Sequence, residues 1–484
     1  MKISKIEIVD YLQFQRFTLD LTYPKGHEKE GKPLDKVCFI GQSGTGKTTL
    51  LNLIRALSSL GLADMDYVHP SMKSIGAVFH SVYGKDWRVS ISQGRLVASF
   101  YEDHAVRLKA VQKYVIQHYT DKNVLLYFPS EINVNLGRVF QTTYKAGLDF
   151  GSKDTHHVSE TSASYIREIN KEPVSQKQEM AERSTFLEPG KLRFLDFGYQ
   201  NIQELWELVL DNVQRHIVSR LSFSNSITNQ MQANPHNIEN FIDQFQQWQK
   251  KNPNPLEELA NKLNPLLNKF NLEIRPEIKF ETADDLKFIK IHNLQGEEVP
   301  NFAWSTGTKQ FVMTTTPLFQ LDTEQSIVLI DEPERSFYPD IQQEIVGFYS
   351  QLAPNAQFFY ATHSPLVASS FDPWEIIELK YDDKGHIVQD HLYDTTKERH
   401  IDNFKLSPKY LRWDSILSRI FDIENDGQPE RQEKLRQLAE LDVRLRKLRS
   451  NGSDHKAEID ALWTKFKETA ALLDWALPAK YEKN

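Results

Sequence analysis

The sequence predicts an α/β protein built on a mostly parallel sheet with a phosphate site at its carboxyl edge, joined to an antiparallel β lobe, a helical insert and a C-terminal helical hairpin. Three observations predict it. The apolar runs Ile327 to Ile330 and Phe358 to Tyr360 are rich in β-branched and aromatic residues and bounded by polar turns, the pattern of strands buried on both faces. Each delivers polar residues at its end: Asp331 and Glu332 after the first, Thr362, His363 and Ser364 after the second. In an open α/β sheet ligands gather at that edge. Far upstream, Gly41, Gln42, Ser43, Gly44, Thr45, Gly46, Lys47 and Thr48 fit G-x-x-x-x-G-K-[ST] between an apolar strand, Val37 to Ile40, and a helical stretch, Thr48 to Leu57.

The chemistry of that loop is physical. Glycines let successive backbone N–H groups close around phosphate oxygens, Lys47 reaches the β and γ phosphates, and Thr48 is placed to ligate magnesium, with Thr49 beside it at the helix start. The expected ligands are therefore Mg2+ and a nucleoside triphosphate, which the resemblance described below implies is ATP. Downstream, Ser305, Thr306 and Gly307, followed by Lys309 and Gln310, stand at the start of a helix expected over about 309 to 318, a second end suited to an anion.

These residues carry a family resemblance. Ser305 to Gly307 resemble the ABC ATPase signature, Asp331 and Glu332 its Walker B, Ser336 to Asp340 its D-loop and His363 its switch histidine, in the family's order. The resemblance is to the SMC-like and OLD-like branch of ABC ATPases and covers about the first fifty residues and roughly 285 to 380; Thr308 departs from the acidic residue or Gln usual after the signature glycine. It implies an ABC-type P-loop NTPase head with a mixed sheet. It also implies that Asp331 holds the magnesium shell with Thr48, that Glu332 polarises water against the γ-phosphate, and that His363 hydrogen-bonds that phosphate. Ser305 and Gly307 would address nucleotide held by another subunit, so the chain is expected to act as a homodimer or a higher homo-oligomer.

Composition sets bounds. With 484 residues, 40% hydrophobic and 26% charged, the chain has room for about three domains. A formal net charge of −8 argues against a surface that is basic throughout. No apolar run approaches the roughly 18 residues of a membrane span, and the start MKISKIEIVD is charged where a signal peptide is apolar, so a cytoplasmic protein without membrane contact is expected. The single cysteine, Cys38, excludes an intramolecular disulfide and a cysteine-rich zinc site, and is expected as a buried core thiol.

In chain order, KIEIV and FTLDL within Ile3 to Leu21 read as two edge strands, and AVFHSVYG, WRVSIS and RLVASFYE as a β-meander with turns at Gly84-Lys85 and Gln93-Gly94. Val124 to Phe128 reads as a further buried strand, after which Glu131 stands either in place of a Q-loop glutamine or as a surface turn residue. Residues from about 138 to 192 form a polar stretch without a period. His156 and His157 within it have poor geometry for a metal pair. Phe194 to Phe270 reads mostly helical, broken at Pro253 and Pro255, and lacks the heptads of a long arm. Strands return at Leu272 to Phe280 and Leu286 to His292. Ser407-Pro408 reads as a helix start leading into YLRWDSILSRIF, and the stripes Leu438, Leu441, Leu445, Leu448 and Ile459, Leu462, Trp463, Phe466, Ala470, Leu473 suit an αα-hairpin or an edge for a partner. Arg444, Arg446, Lys447 and Arg449 are either a basic patch or a solvated helix face.

The predicted organisation is thus 1–137 and 271–393 as the two parts of the head, 138–270 as polar loop and helical insert, and 394–484 as a helical region for oligomer or partner contact. No Toprim-type domain or HNH-type cluster is legible, so a nuclease activity would belong to a separate subunit. A compact ABC ATPase with an irregular insert and a short helical tail resembles the ATPase subunits of bacterial anti-phage systems, of the Septu kind first and of the PARIS kind second. That resemblance implies a partner nuclease, with DNA or a phage component as a further contact. Two other readings remain: an SMC-like DNA-repair ATPase acting directly on DNA, and a transporter cassette, which would need a membrane partner and whose motifs normally sit closer together than Lys47 and Ser305.

Overall fold

A computed structural model describes residues 1–60, 74–80, 85–92, 95–100, 123–130, 193–197, 213, 216, 219–220, 222–232, 238–276, 289–300, 303–421, 428–450 and 456–475. Glu131, His156 and His157 lie outside them. The chain divides into two compact units, Met1–Leu411 and Arg412–Asn484.

The first unit opens with a hairpin of β1 (Lys2–Tyr11) and β2 (Phe14–Asp20). Its turn pairs Tyr11 with Phe14 and holds Leu12 at φ 51°. Alternation buries Ile3, Ile6 and Ile8 on one strand and Phe14, Phe17 and Leu19 on the other. β4 (Ser74–His80), β5 (Trp87–Ser92) and β6 (Arg95–Phe100) extend this into a five-stranded antiparallel sheet in the order β2-β1-β4-β5-β6, the expected β lobe.

The second sheet has seven strands. β3 (Lys36–Gly41), β7 (Asn123–Phe128), β8 (Arg193–Asp196), β11 (Ile327–Asp331), β12 (Gln357–Ala361), β13 (Ile376–Tyr381) and β14 (Ile387–Asp390) lie in the order β14-β13-β3-β12-β11-β7-β8. All neighbours are parallel except β13 and β14, which form an antiparallel edge hairpin. Helix α1 (Lys47–Leu60) lays Leu50, Leu53, Ile54 and Leu57, one stripe of a 3.6-residue period, into a core shared with Val37, Phe39, Leu329 and Phe359 of this sheet and Ile6, Phe14 and Phe79 of the lobe. Each such side chain contributes about 1.5–3 kcal/mol on burial, so the glycine loop stands on a rigid base. Cys38 is fully buried in β3.

Between β8 and β11 run α2 (Ile238–Lys251), α3 (Pro255–Leu267), the short antiparallel pair β9 (Leu272–Ile274) and β10 (Ile291–Asn293), and α4 (Thr306–Gln320). Asn254 caps α3 by accepting from the Leu256 N–H at 3.0 Å, and Pro255 occupies its first turn. α5 (Pro339–Leu352) and the single turn α6 (Pro365–Ala368) follow β11 and β12.

Two sequence expectations need correction, and one hairpin has no counterpart in the sequence reading. Phe194 begins no helix: Arg193–Asp196 is a parallel strand on β7, anchored by Phe197 stacked on Phe128 at 4.6 Å between ring centroids. Four residues are too few to reveal a period. The β13–β14 hairpin was not anticipated, although its Asp382-Asp383-Lys384-Gly385 turn, with Gly385 at φ 77°, is a turn signal. Ser407-Pro408 starts only a 3-10 turn, Pro408–Tyr410; Ser407 makes no side-chain cap and Leu411 is extended at ψ 150°, so the helix proper, α7 (Trp413–Arg419), begins after it.

In the second unit, α8 (Pro429–Ser450) and α9 (Lys456–Leu472) form an αα-hairpin closed by Leu438, Leu441 and Leu445 against Phe466, Ala470 and Leu473. Arg446 pairs along its own helix with Asp442 at 2.5 Å. Among the described residues no helix is long and apolar enough to cross a membrane.

Candidate active site at the carboxyl edge of the sheet

Parallel register brings three loops to one edge. Asp331 pairs with Ala361, Ala361 with Phe39, and Leu379 with Gly41, so the chain leaves β11, β12 and β3 at one level. Two backbone bonds carry the sheet past its strands: Glu332 N–H donates to Ala361 O at 2.8 Å, and Thr362 N–H to Phe39 O at 3.1 Å.

The loop after β3 turns through Gly46 at φ 84°, where an added Cβ would lie 2.7 Å from Phe14 Cζ and 2.9 Å from Ile387 Cδ1. Only glycine fits that conformation between the two walls. Thr45, buried, donates its hydroxyl to Gln42 O at 2.8 Å, and Tyr381 donates its hydroxyl to Gly44 O at 2.7 Å. Gln42, Ser43 and Gly44 form the exposed crest. Lys47 is buried, with Nζ 2.9 Å from both Gly41 O and Gln42 O. Burial lowers its pKa to about 8, against the opposing pull of Asp331, Glu332 and Glu334.

Thr48, at the start of α1 beside Thr49, donates its hydroxyl to Asp331 Oδ2 at 3.0 Å, with Oδ1 at 3.2 Å. Burial, reinforced by Glu332 and Glu334, raises the Asp331 pKa to about 6 even though the Thr48 bond and Lys47 favour the carboxylate. A hydroxyl and a carboxylate side by side, both oxygen donors, fit a hard divalent cation. The next residue, Glu332, is half-buried and adopts φ 49°, a conformation that costs a non-glycine residue about 1 kcal/mol or more.

Glu334 is bonded to the loop that follows β12. Its Oε1 accepts the His363 N–H at 2.9 Å, while its Oε2 is buried without a partner among the described residues. Burial raises its pKa. The His363 ring is exposed at the mouth of the site, and its pKa is lowered by desolvation and by the Lys47 charge, which keeps the imidazole neutral near pH 7.

Ser305 is the N-cap of α4. Its Oγ accepts from the Thr308 N–H at 3.0 Å and lies 2.8 Å from the Thr308 hydroxyl. Ser305 and Thr306 face solvent, while Gly307 is buried under the Ser336 carbonyl, where an added Cβ would sit 2.5 Å away. Ser336 itself is at φ 64°. The structure therefore brings together Lys47, Thr48, Asp331 and the residues around His363. Among the described residues Ser305 bonds only within the first turn of its own helix, and Gly307 packs on the loop at Ser336. Glu334, Gln342 and Tyr381 were not singled out from sequence. For Glu334 a second carboxylate two residues after Glu332 was a usable signal; the other two are found only through contacts made by the fold.

Residues 162–369 match the family described as "AAA domain, putative AbiEii toxin, Type IV TA system". The chain also aligns over 81% of its length with an Smc head domain from Pyrococcus furiosus bound to the C-terminal domain of ScpA, at 13% identity, 96% of that chain and a TM-score of 0.39. An SmcHead bound to the C-winged helix domain of ScpA aligns at 11% identity over 98% of its length with a TM-score of 0.41. The SMC head domain from Thermotoga maritima aligns at 12% identity over its whole length, 100%, with a TM-score of 0.37. A glycine loop between β3 and α1, the Asp331 carboxylate against its Thr48, and an antiparallel lobe sharing the core are the arrangement of a P-loop NTPase fold.

Proposed function

We propose that the chain hydrolyses ATP at composite sites made by two copies. Gly41 to Thr49 and Lys47 of one copy grip the triphosphate, and the Ser305 to Gly307 tip of the other caps it. The observation that carries this reading is the Thr48 hydroxyl 3.0 Å from Asp331 at the foot of a glycine loop. A solvent-facing Ser305 supports the second half, since a tip turned inward could not meet a neighbour's nucleotide. Tyr338 of the D-loop is 75% exposed, as expected of a side chain that a second copy covers.

In the mechanism, Lys47 and the loop N–H groups bind and orient the phosphates. Thr48 and Asp331 would hold a magnesium ion, which when bound neutralises phosphate charge. Glu332 takes a proton from the attacking water as its oxygen bonds to the γ-phosphorus and the bond to the ADP oxygen breaks, giving ADP and phosphate. Neutral His363 donates a hydrogen bond to the γ-phosphate. Purified protein should turn over ATP, stop when magnesium is chelated, and show a per-subunit rate that rises with protein concentration. Concentration-independent turnover by a strict monomer would refute the composite site.

The biological setting we propose is a bacterial anti-phage complex in which this cytoplasmic ATPase regulates a separate nuclease, Septu-like in arrangement. In it, 138–270 is the insert and 394–484 the partner contact. The matched family's description names a putative toxin of a type IV TA system, and that wording supports a setting in which the chain controls a harmful activity. The test is affinity purification of the full chain from its native host. Recovery of a nuclease is expected; a chain that purifies alone, with turnover stimulated by duplex DNA in a salt-dependent way, would favour direct action on DNA instead.

A further inference from the structure

Gln342, in the first turns of α5, joins the switch loop to the D-loop. Its Nε2 donates to Phe337 O at 2.9 Å, and its Oε1 accepts the Ser364 hydroxyl at 2.6 Å. Chemistry dictates the orientation of the amide: a backbone carbonyl only accepts, so the nitrogen must face Phe337 and the oxygen must face Ser364. Ser364 has no second proton to give. Its oxygen already accepts from the Leu366 and Val367 N–H groups at 3.2 and 3.3 Å, so its one O–H is committed to Gln342.

The loop that Gln342 holds is tied at both ends. At one end Glu334 Oε1 accepts the His363 N–H at 2.9 Å. At the other, Phe337 is buried against Phe270 with ring centroids 6.1 Å apart, and the adjoining Ser336 carbonyl seats Gly307 of the signature tip. A shift of His363 and Ser364 therefore reaches the D-loop through two short hydrogen-bonded links, and from there bears on the tip that faces a second copy. Gln342 has no hydrogen bond to Lys47, Thr48 or Asp331.

We propose that Gln342 is a positioning residue that couples the state of the switch loop at His363 to the D-loop and signature tip, so that hydrolysis depends on pairing of two copies. This rests on the composite-site reading above and adds the element that links nucleotide contact to pairing. Gln342 is half-buried, and an amide that uses both ends in this way holds a loop to one position.

The test compares the full chain with Gln342→Leu, which removes both bonds at similar volume, and Gln342→Glu, which keeps an acceptor for Ser364 and removes the donor to Phe337. Binding of a fluorescent ATP analogue to each variant should stay within about twofold of the parent. Turnover at saturating ATP should fall about tenfold or more, and the rise of per-subunit rate with protein concentration should flatten, a coupling in the usual 5- to 150-fold range. Gln342→Glu should show the same split even if Gln342→Leu folds poorly. A Gln342→Glu chain that keeps the parent's turnover and concentration dependence would overturn the proposal, as would binding that weakens in step with turnover. If the parent itself shows no concentration dependence, the composite site fails and the coupling falls with it.

Discussion

Gly307→Ala is the perturbation with the most definite structural consequence. The added methyl would lie 2.5 Å from the Ser336 carbonyl oxygen and 3.4 Å from its carbon, against backbone that no rotamer change can clear. Relief to an ordinary contact of 3.4 Å requires the signature tip and the D-loop to part by roughly 0.9 Å. Overpacking of this kind costs about 1–3 kcal/mol. Helix propensity acts the other way, since alanine in a helical turn is favoured over glycine by up to about 1 kcal/mol. The two effects leave a fold destabilised by no more than about 3 kcal/mol. Catalysis should suffer more, because a displacement near 1 Å in a positioning group can cost about 100-fold. Steady-state ATP turnover, with nucleotide affinity measured separately, checks this: kcat should fall about 100-fold while affinity for the analogue stays within about threefold. Turnover within about threefold of the parent would show that the packing of Gly307 on Ser336 does not position the tip.

Three further outcomes follow from the same geometry. Lys47→Ala should abolish binding of ATP, read by fluorescence of a bound analogue, because the ammonium that reaches the phosphates is removed while the fold keeps its glycine turn. Glu332→Gln should bind ATP normally but hydrolyse it about 100-fold or more slowly, the usual worth of a general base; parent-like turnover would take that role from Glu332. Asp35 lies at the entry to β3, where burial would raise its pKa but hydrogen bonds from Lys2 and Lys29, with Tyr23, hold it down at about 2. A depressed carboxylate stabilises the fold above the unfolded pKa and loses that contribution as pH falls through the folded value. Asp35→Asn should therefore lower stability at pH 7 by about 1 kcal/mol, discounted because the side chain is one-third exposed, with the difference shrinking between about pH 4 and pH 2. Urea unfolding at several pH values measures it, and a difference that persists unchanged below pH 3 would contradict the assignment.

What was legible in the sequence follows from how much of each signal is local. β3, β11 and β12 announce themselves because strands covered on both faces are continuous apolar runs that end abruptly in polar residues, as Ile330 gives way to Asp331 and Tyr360 to Thr362. The hairpin β1–β2 and the meander β4–β6 were legible from alternation, since one face of that sheet lies on the core. β8 was not, because four residues carry no period and its burial comes from β7. At the site, the loop residues and the Thr48–Asp331 neighbours were accessible through motif chemistry. Glu334, Gln342 and Tyr381 act through bonds to His363, Ser364 and Gly44, residues 29, 22 and 337 positions away. Such partners are created by sheet order, which no local pattern encodes.

The central claim is that each nucleotide is served by two chains, and mixing two broken chains tests it directly. Lys47→Ala removes the cradle and leaves the tip; Ser305→Arg blocks the tip and leaves the cradle. Each should be inactive alone. Mixed in equal amounts, half the pairs are hybrids and each hybrid holds one intact site, so turnover should recover to about one quarter of the parent's specific activity. A mixture as inactive as its components would contradict the account.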